Sequence, residues 1–262
     1  MTVIVPSWQT RELLLRCLAG LEACTGRFVV VDNASTDGSA DAVRERFPHV
    51  TVLQNARNIG FSGAVNRGLE HALTHDPDGP AVLLNADTLC PPDALHTLSA
   101  YLAAHHEIGL VGPHLLLPDG TPQPYAFGND PSLGYLLRRG WNRRVHGRAL
   151  HDWSDTRDQR VDWVTFACVA ASLDMVRQVG LLDERFFMYF EDNDWCLRAR
   201  RAGWGVARVG QARVTHIGGA SLRQNPAAKR AYTDSLRRFH AKHYGALSAF
   251  ALRLLLPLYG MR

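Results

Sequence analysis

The chain has 262 residues, of which 46% are hydrophobic and 21% charged, with a formal net charge of +4, and this composition excludes a disordered or fibrous protein. Its five cysteines show no CxxC spacing, which predicts free thiols in a reducing compartment rather than disulfides or a zinc site. No apolar run approaches the roughly 20 residues that span a bilayer, and no signal peptide precedes the strand-like residues 2–5, so we predict a cytoplasmic protein.

Residues 1–112 alternate between short apolar runs and helical patterns, as the strands and helices of an α/β sheet do. Strands are predicted at residues 2–5, 28–31, 50–53, 81–84 and 109–112. Helices are predicted at residues 12–21, 39–47, 61–73 and 93–103. The first half of the chain therefore predicts a mostly parallel sheet of the Rossmann-like kind.

The pattern becomes less regular after Pro113. Residues 118–121 predict a tight turn, and residues 131–160 are so weakly periodic that we expect an irregular, mobile region on the acceptor side. Further strands are predicted at residues 161–164, 186–190, 205–209 and 213–215. Helices are predicted at residues 173–179, 193–202, 227–244 and 247–256.

Polar residues stand where two of the predicted strands end. Asp32 follows the strand at 28–31, and Asn85 and Asp87 follow the strand at 81–84. Ligands of open parallel sheets bind outside the carboxyl ends of the strands. There, Asp32 could accept a hydrogen bond from a base or ribose, and Asp87 could hold a divalent cation and its phosphate oxygens. Alternatively, Asn85 and Asp87 only shape a turn and cap the next helix.

Two loops are candidates for contact with a nucleotide. The polar loop 32–39 opens a helix, for which Asp37 is also a natural N-cap. The loop 55–68 contains several glycines, and its backbone amides and Arg67 could approach a diphosphate. The same glycines could equally serve the packing of a helix on the sheet.

A cluster of carboxylates and one histidine complete the candidate site. Glu191, Asp192 and Asp194 open a predicted helix, where they complement its dipole. Next to the aromatic residues 186–190 they would also be partly desolvated, which raises a carboxylate pKa toward that of a general base. His216 ends a strand before two glycines, as a metal ligand or, more commonly, as a structural histidine.

In order and spacing these motifs resemble glycosyltransferase family 2, in its rhamnosyltransferase-like branch. The motifs are VIVPSW at 3–8, VDNASTDGS at 31–39, NIGF at 58–61, LNAD at 84–87, FMYFEDND at 187–194 and THIGG at 215–219. The resemblance covers about residues 2–221. It implies a GT-A fold, a nucleotide-diphospho-sugar donor, a divalent metal and inversion at the anomeric carbon.

The resemblance also implies roles for single residues. Nucleotide-sugar contacts fall on Pro6, Ser7, Asp32, Asn33, Asp37, Asn58, Gly60, Arg67, Asn85 and Asp87. Asp87 and His216 are the implied ligands of the metal, Mg²⁺ or Mn²⁺. Asp192 is the implied catalytic base, supported by Glu191, and Asp194 and Trp163 are implied to contact the acceptor. Asn85 stands where the family's DxD-type motif begins with aspartate. The metal then has fewer charged ligands, so His216 becomes more important.

The resemblance divides the chain into a GT-A domain, residues 1–221, and a helical tail, residues 222–262. Within the domain, we expect residues 1–112 to bind the nucleotide-sugar and residues 113–221 to bind the acceptor. The branch implies dTDP-L-rhamnose, or another dTDP- or UDP-sugar, as donor, and a glycan or lipid-linked acceptor in surface polysaccharide synthesis. Two alternatives stay open. A sugar nucleotidyltransferase normally carries a glycine-rich phosphate loop where this chain has PSW at 6–8, and a non-catalytic sugar-nucleotide or glycan-binding protein would not need the cluster at 191–194.

The tail is basic and then apolar. From Ala220 onward eight basic residues stand against Asp234 alone, a net +7 that leaves −3 for the rest of the chain. Such a tail is typical of a helix on an anionic membrane surface, here the inner face of the cell membrane, and not of nucleic-acid binding by the whole domain. The alternative is that both helical pieces simply pack on the body or on a second subunit.

Overall fold

The strands and helices are those of a mixed α/β protein, and the computed structural model describes residues 1–218 and 226–255. The strands are β1 (Thr2–Ser7), β2 (Arg27–Asp32), β3 (Thr51–Gln54), β4 (Ala81–Leu84), β5 (Thr88–Leu89), β6 (Ile108–Leu116), β7 (Phe127–Gly128), β8 (Gln159–Arg160), β9 (Trp163–Val164), β10 (Cys168–Ala171) and β11 (Gly205–His216). The helices are α1 (Arg11–Gly20), α2 (Ser39–Arg46), α3 (Gly60–His75), α4 (Pro92–Ala104), α5 (Leu133–His146), α6 (Leu173–Val179), α7 (Glu191–Arg201) and α8 (Pro226–Leu255).

Within these residues, nine strands form one mixed sheet in the order β3-β2-β1-β4-β10-β6-β11-β5, with β8 paired to β11. The strands β3, β2, β1 and β4 are parallel, so their carboxyl ends lie at the same edge. The strand β10 runs antiparallel between β4 and β6. All four residues of β4 are completely buried, as expected for a parallel strand covered on both faces.

The predictions for the first half of the chain are confirmed. Every strand and helix predicted in residues 1–112 is present, and the strand at 81–84 has the predicted bounds. The largest difference is at β6, which continues to Leu116 instead of ending at Gly112. That strand therefore carries the chain from the first half into the second without a break.

The second half differs from prediction at the segment 131–160, which is not irregular throughout. It contains α5, which begins after Ser132, whose Oγ accepts the backbone N–H of Tyr135, and ends at Gly147 with φ of +63°. Ser132 is therefore a favourable N-cap, and Gly147 is a favourable glycine after the last helical residue. The helix was missed because Gly134 and Gly140 disfavour a helix, although Leu137, Trp141 and Val145 follow one another at helical spacing.

One predicted strand of the second half is wrong, and two others are parts of a single strand. The aromatic run at 186–190 forms bends rather than a strand, because Tyr189 and Phe190 have φ of +70° and +66°. That conformation is incompatible with an extended strand. The strands predicted at 205–209 and 213–215 are one strand, β11, whose register against β6 shifts between Val209 and Arg213.

The helix α8 packs against the body of the protein. Its two parts meet at Gly245, whose φ of +82° interrupts the helix, and they match the two predicted pieces. One apolar cluster joins it to α5, α7 and the segment before α7, through Leu136, Phe186, Phe190, Leu197, Leu236, Phe239 and Leu252. None of the helices in the described part of the chain is both long and apolar enough to cross a bilayer. The predicted helix end at 256, the glycine at 219 and the domain boundary at 221 lie outside the described residues.

Candidate active site

The carboxyl ends of β1, β2 and β4 bring several predicted nucleotide-sugar residues to one edge of the sheet. Pro6 and Ser7 end β1, Asp32 ends β2, and Asn85 follows β4. The parallel register pairs Ser7 with Asp32. The backbone N–H of Asn85 donates to the carbonyl of Ala167 at 2.9 Å, just before β10. The end of β4 is therefore fixed from both neighbouring strands.

Asp32 is fully buried, and only one of its two carboxylate oxygens accepts a hydrogen bond. Its Oδ2 accepts the backbone N–H of Ser35 at 3.1 Å, whereas its Oδ1 has no hydrogen-bond partner among the described residues. A buried carboxylate oxygen without a donor destabilises a fold unless a ligand supplies the donor. A base N–H or a ribose hydroxyl is such a donor, so the geometry is compatible with the predicted nucleotide contact.

Asn33 and Gly60 build the wall of this edge. The Asn33 amide donates to the carbonyl of Gly60 at 2.9 Å and accepts the side-chain N–H of Asn55 and the backbone N–H of Ile59. Gly60 has φ of +82°, and a Cβ there would lie 2.7 Å from the ring of Phe187. Both residues therefore stabilise the conformation of this loop, and their contact with a donor stays a prediction.

Three further residues predicted to bind the donor are held by the protein itself. Asp37 accepts the backbone N–H of Ser39 and of Arg11, each at 3.0 Å, so it binds the first residue of both α2 and α1, although the N-cap residue of α2 is Gly38 and not Asp37. Asn58 accepts the backbone N–H of Gly60 at 2.9 Å. Arg67 donates to the carbonyl of Gln54 at 2.7 Å and to the side chain of Asn55. These contacts support the structural alternative for Asp37 and fix Arg67 beside the end of β3.

Asp87 and His216, which are 129 positions apart in the sequence, lie side by side. Because β11 pairs with β5, His216 stands opposite Thr88, and its Nε2 is 3.2 Å from Oδ1 of Asp87. The Nδ1 of His216 is 2.9 Å from Oε1 of Gln123. A Cβ on Gly218 would lie 1.9 Å from Oδ2 of Asp87, so only glycine fits there.

This pair is chemically suited to a divalent cation. An amide oxygen can only accept, so Nδ1 of His216 donates its proton to Gln123, which leaves Nε2, on the side of Asp87, as the nitrogen that could coordinate a cation. A histidine oriented in this way by a hydrogen bond at its other nitrogen is typical of a metal ligand. Oxygen and imidazole nitrogen suit Mn²⁺ or Mg²⁺. In the described ranges, no group of three or more His, Cys, Asp or Glu residues is placed to hold a metal ion.

Glu191 and Asp192 form a pair of carboxyl groups with different acidities at the start of α7. Burial and the neighbouring Asp192 raise the pKa of Glu191 well above its ordinary value, and its Oε2 has no partner among the described residues. Burial raises the pKa of Asp192 to about 6, although the backbone N–H of Asn193 donates to its Oδ1 at 2.7 Å. Of the two carboxyl groups, Glu191 therefore holds its proton the more firmly, and Asp192 ionises first.

Asp194 has a different environment from its two neighbours. It is fully buried, and it contacts Arg198 Nε at 2.8 Å, Lys242 Nζ at 2.6 Å and His243 Nε2 at 2.7 Å. Burial alone would raise the pKa of Asp194, but hydrogen bonds from His243 and Lys242 outweigh burial and hold the pKa below its ordinary value. The predicted acceptor contact does not fit this geometry, because basic side chains occupy both carboxylate oxygens. Asp194 instead ties α7 to α8.

Trp163 is partly exposed on β9, and its Nε1 donates to the carbonyl of Asn129 at 2.9 Å. It stays a predicted acceptor contact. No local pattern indicates Gln123, which reaches His216 only through the pairing of distant strands. Lys242 is one of the eight basic residues counted in the tail, and the inward contacts of Lys242 and His243 depend on the position of α8.

Residues 1–233 match the family model described as glycosyltransferase like family 2. The chain belongs to glycosyltransferase family 2. It is therefore a glycosyltransferase, and the alternatives of a nucleotidyltransferase or a non-catalytic binding protein are set aside.

Relatives of this glycosyltransferase include a rhamnosyltransferase. The N-acetylglucosaminyl-diphospho-decaprenol L-rhamnosyltransferase of Mycobacterium tuberculosis is 30% identical over 245 residues, which cover 86% of this chain and 78% of the relative. Among solved structures, the mannosyltransferase PcManGT of Pyrobaculum calidifontis, in complex with GDP-Man and Mn²⁺, has a TM-score of 0.64 and 20% identity. The structure of GalNAc-T7 with UDP, GalNAc and Mn²⁺ has a TM-score of 0.63 and 15% identity.

These two structures confirm the predicted GT-A fold. The alignment with the mannosyltransferase covers 94% of this chain and 64% of that chain. The alignment with GalNAc-T7 covers 83% of this chain and 43% of that chain. The family 2 enzyme described here therefore spans less than two thirds of either protein.

Proposed function

We propose that this glycosyltransferase is an inverting, metal-dependent rhamnosyltransferase. It transfers L-rhamnose from dTDP-L-rhamnose to a hydroxyl group of a glycan or lipid-linked acceptor in surface polysaccharide synthesis. The observation that carries the proposal is the contact of Asp87 with His216 at the sheet edge where Asp32 keeps an unpaired oxygen. The similarity to an L-rhamnosyltransferase whose acceptor is a diphospho-decaprenol lipid supports the choice of sugar and acceptor.

The donor is bound by the edge described above. Oδ1 of Asp32 accepts a hydrogen bond from the base or ribose, and the ends of β1 and β4, with Pro6, Ser7 and Asn85, line the nucleotide. Asp87 and His216 hold Mn²⁺ or Mg²⁺, which when bound neutralises the charge that develops on the leaving diphosphate. The Mn²⁺ in both compared structures supports a divalent ion.

Asp192 removes the proton from the acceptor. Its Oδ1 already accepts the backbone N–H of Asn193, so we assign Oδ2 to the acceptor hydroxyl. The hydroxyl oxygen forms a bond to the anomeric carbon while the bond from that carbon to the diphosphate breaks, and the proton passes to Asp192. One such displacement inverts the anomeric configuration. Glu191 keeps its own proton, so it adds no second negative charge next to the base.

The test is a panel of nucleotide-sugars incubated with the protein, Mn²⁺ and a lipid-diphosphate-linked N-acetylglucosamine. We expect release of dTDP from dTDP-L-rhamnose, and a product whose anomeric coupling constant shows inverted configuration. Preference for a UDP- or GDP-sugar would overturn the assignment of the donor. Retained configuration would overturn the single displacement.

A lipid-linked acceptor also implies that the enzyme works at a membrane surface. Peripheral attachment to the inner face of the cell membrane is therefore part of this proposal. The part of the protein that would carry it can be identified from the exposed surface.

A further inference from the structure

The helix α5 exposes a stripe of large apolar side chains. Leu137, Trp141 and Val145 follow one another at four-residue spacing, which places them on one face of the helix. Trp141 is 68% exposed, and the other two are about half exposed. Exposed large apolar side chains in a row mark an interaction surface rather than ordinary solvent-facing residues.

The second part of α8, after Gly245, has a similar face. Leu247, Phe250 and Leu254 are spaced by three and four residues and are all strongly exposed, with Leu247 at 87%. The opposite face of this part is occupied, because Leu252 is buried in the apolar cluster and Ser248 bonds to His240. The exposed face is therefore not needed to attach α8 to the body.

The helix stretches that carry these faces bear only basic charges, although Arg138 also lines a cleft with Asp130 and Asp162 of neighbouring segments. Arg138 and Arg144 stand three residues before and after Trp141, so they are its neighbours on the helix surface, and both are exposed. Arg143, Arg148 and Arg253 are exposed as well. Residues 131–150 and 235–255 contain no aspartate or glutamate. Apolar side chains bordered by arginines complement an anionic lipid surface, which offers both negative headgroups and an apolar interior.

Both faces belong to helices that meet near the candidate base. Leu136 of α5 and Leu252 of α8 lie in one apolar cluster with Phe190, the residue before Glu191. Arg139 of α5 hydrogen-bonds Tyr232, whose ring lies 5.0 Å from that of Phe190. A membrane contacted by α5 and α8 would therefore lie close to the acceptor side of the site.

We propose that the exposed apolar faces of α5 and of the second part of α8, with the arginines around Trp141, dock this protein on an anionic lipid membrane. The inference deepens the proposed function, since it rests on a lipid-linked acceptor that is presented at a membrane surface. A second copy of the chain fits these exposed faces less well than a membrane does. A two-fold interface apposes the same patch of both subunits, and like-charged arginines would face one another.

The test is flotation of the full chain with phosphatidylcholine vesicles, with and without phosphatidylglycerol. We expect co-flotation only with the anionic vesicles, weakened by salt. The double variant Arg138→Gln/Arg144→Gln should bind less tightly by about five-fold for each arginine removed. The matched double variant Arg16→Gln/Arg46→Gln, on exposed positions of α1 and α2, should float as the wild type does.

A second pair tests the apolar component. Trp141→Ser/Phe250→Ser should reduce flotation at every salt concentration, and its unfolding temperature should equal that of the wild type because both side chains are exposed. Failure of the wild type to float with anionic vesicles overturns the inference. It is also overturned if Arg16→Gln/Arg46→Gln reduces flotation as much as Arg138→Gln/Arg144→Gln does. Self-association that Trp141→Ser abolishes would identify a second copy as the occupant and overturn it as well. Flotation needs no donor or acceptor, so it separates this inference from the proposed reaction, which is measured with a detergent-solubilised acceptor.

Discussion

The first half of the chain (residues 1–112) and the second half (residues 113–218 and 226–255) build their parts of the site in different ways. In the first half, polar groups such as Asp32 and Asp37 are held by backbone N–H groups a few residues away or at the neighbouring strand end. In the second half, the decisive contacts join residues far apart, as between His216 and Gln123 or Asp194 and Lys242. The polar groups of the first half are thus held mostly by local contacts, whereas those of the second half depend on tertiary packing.

This contrast implies separable effects of mutation. Changes in the first half should remove donor or metal binding without unfolding the protein. Changes in the second half should affect proton transfer, stability or the orientation of a ligand, according to which long-range contact they break. The predictions below test that separation, from the largest expected effect to the smallest.

Replacing Asp87 should have the largest effect. Asp87→Ala removes the charged partner of His216, so we expect no metal-dependent release of nucleoside diphosphate and no Mn²⁺ binding by electron paramagnetic resonance. The carboxylate is partly exposed, so the fold should persist. The control Asp93→Ala removes an exposed carboxylate from α4, six residues later, and should keep both properties. Full turnover in a chelated, metal-free sample would refute the metal assignment.

Replacing Asp192 should affect the chemical step alone. Asp192→Asn should reduce transfer by about 10²–10⁴, the usual contribution of a general base, while the affinity for the donor stays unchanged. In the wild type the rate should fall as the pH drops below about 6, because the carboxylate of Asp192 is then protonated and cannot accept the acceptor's proton. If Asp192→Asn transfers normally and Glu191→Gln does not, the base is the other carboxylate.

The two halves also differ in how far they follow from sequence. The strand β4 and the positions of Asp32 and Asp87 were predicted because continuous apolar runs and strand-end carboxylates are local signals. The helix α5 was missed because its two internal glycines disfavour a helix and obscure the four-residue spacing of its apolar side chains. The bends at Tyr189 and Phe190 were missed because positive φ at non-glycine residues leaves no trace in composition. The ion partners of Asp194 could not be predicted, because they lie on α8, 48 and 49 residues later.

The third prediction concerns Asp194, which should matter for stability. Asp194→Asn leaves the charges of Lys242 and Arg198 without their buried partner, and breaking such a network typically costs about 3–5 kcal/mol in the free energy of unfolding. Asp234→Asn is the matched control, because Asp234 is exposed and lies 3.5 Å from Arg237. Such a surface pair contributes about 0–1 kcal/mol. Urea unfolding of both variants measures the difference, and equal midpoints would contradict a structural role for Asp194.

The same residue gives a pH dependence with a definite sign. The folded-state pKa of Asp194 lies below its ordinary value, so its contribution to stability is present above the unfolded pKa, about 3.9. The contribution is lost as the pH falls through the folded value. The wild type should therefore lose more stability on acidification than Asp194→Asn does. If the free energy of unfolding falls with pH equally in the two proteins, the ion pairs of Asp194 do not contribute to stability.

The smallest expected effect is at Gln123, which links the two halves through His216. Gln123→Leu removes the acceptor for Nδ1 of His216, so the imidazole can rotate or change tautomer and no longer holds its Nε2 toward Asp87. Loss of such a supporting hydrogen bond typically weakens metal binding by about 10- to 100-fold. Mn²⁺ titration calorimetry measures this directly, without the acceptor. Gln123→Glu keeps an oxygen acceptor at the same place, so it should retain or strengthen binding. If Gln123→Leu binds Mn²⁺ as the wild type does, His216 is either oriented by other contacts or is not a ligand, and the metal then depends on the first half alone.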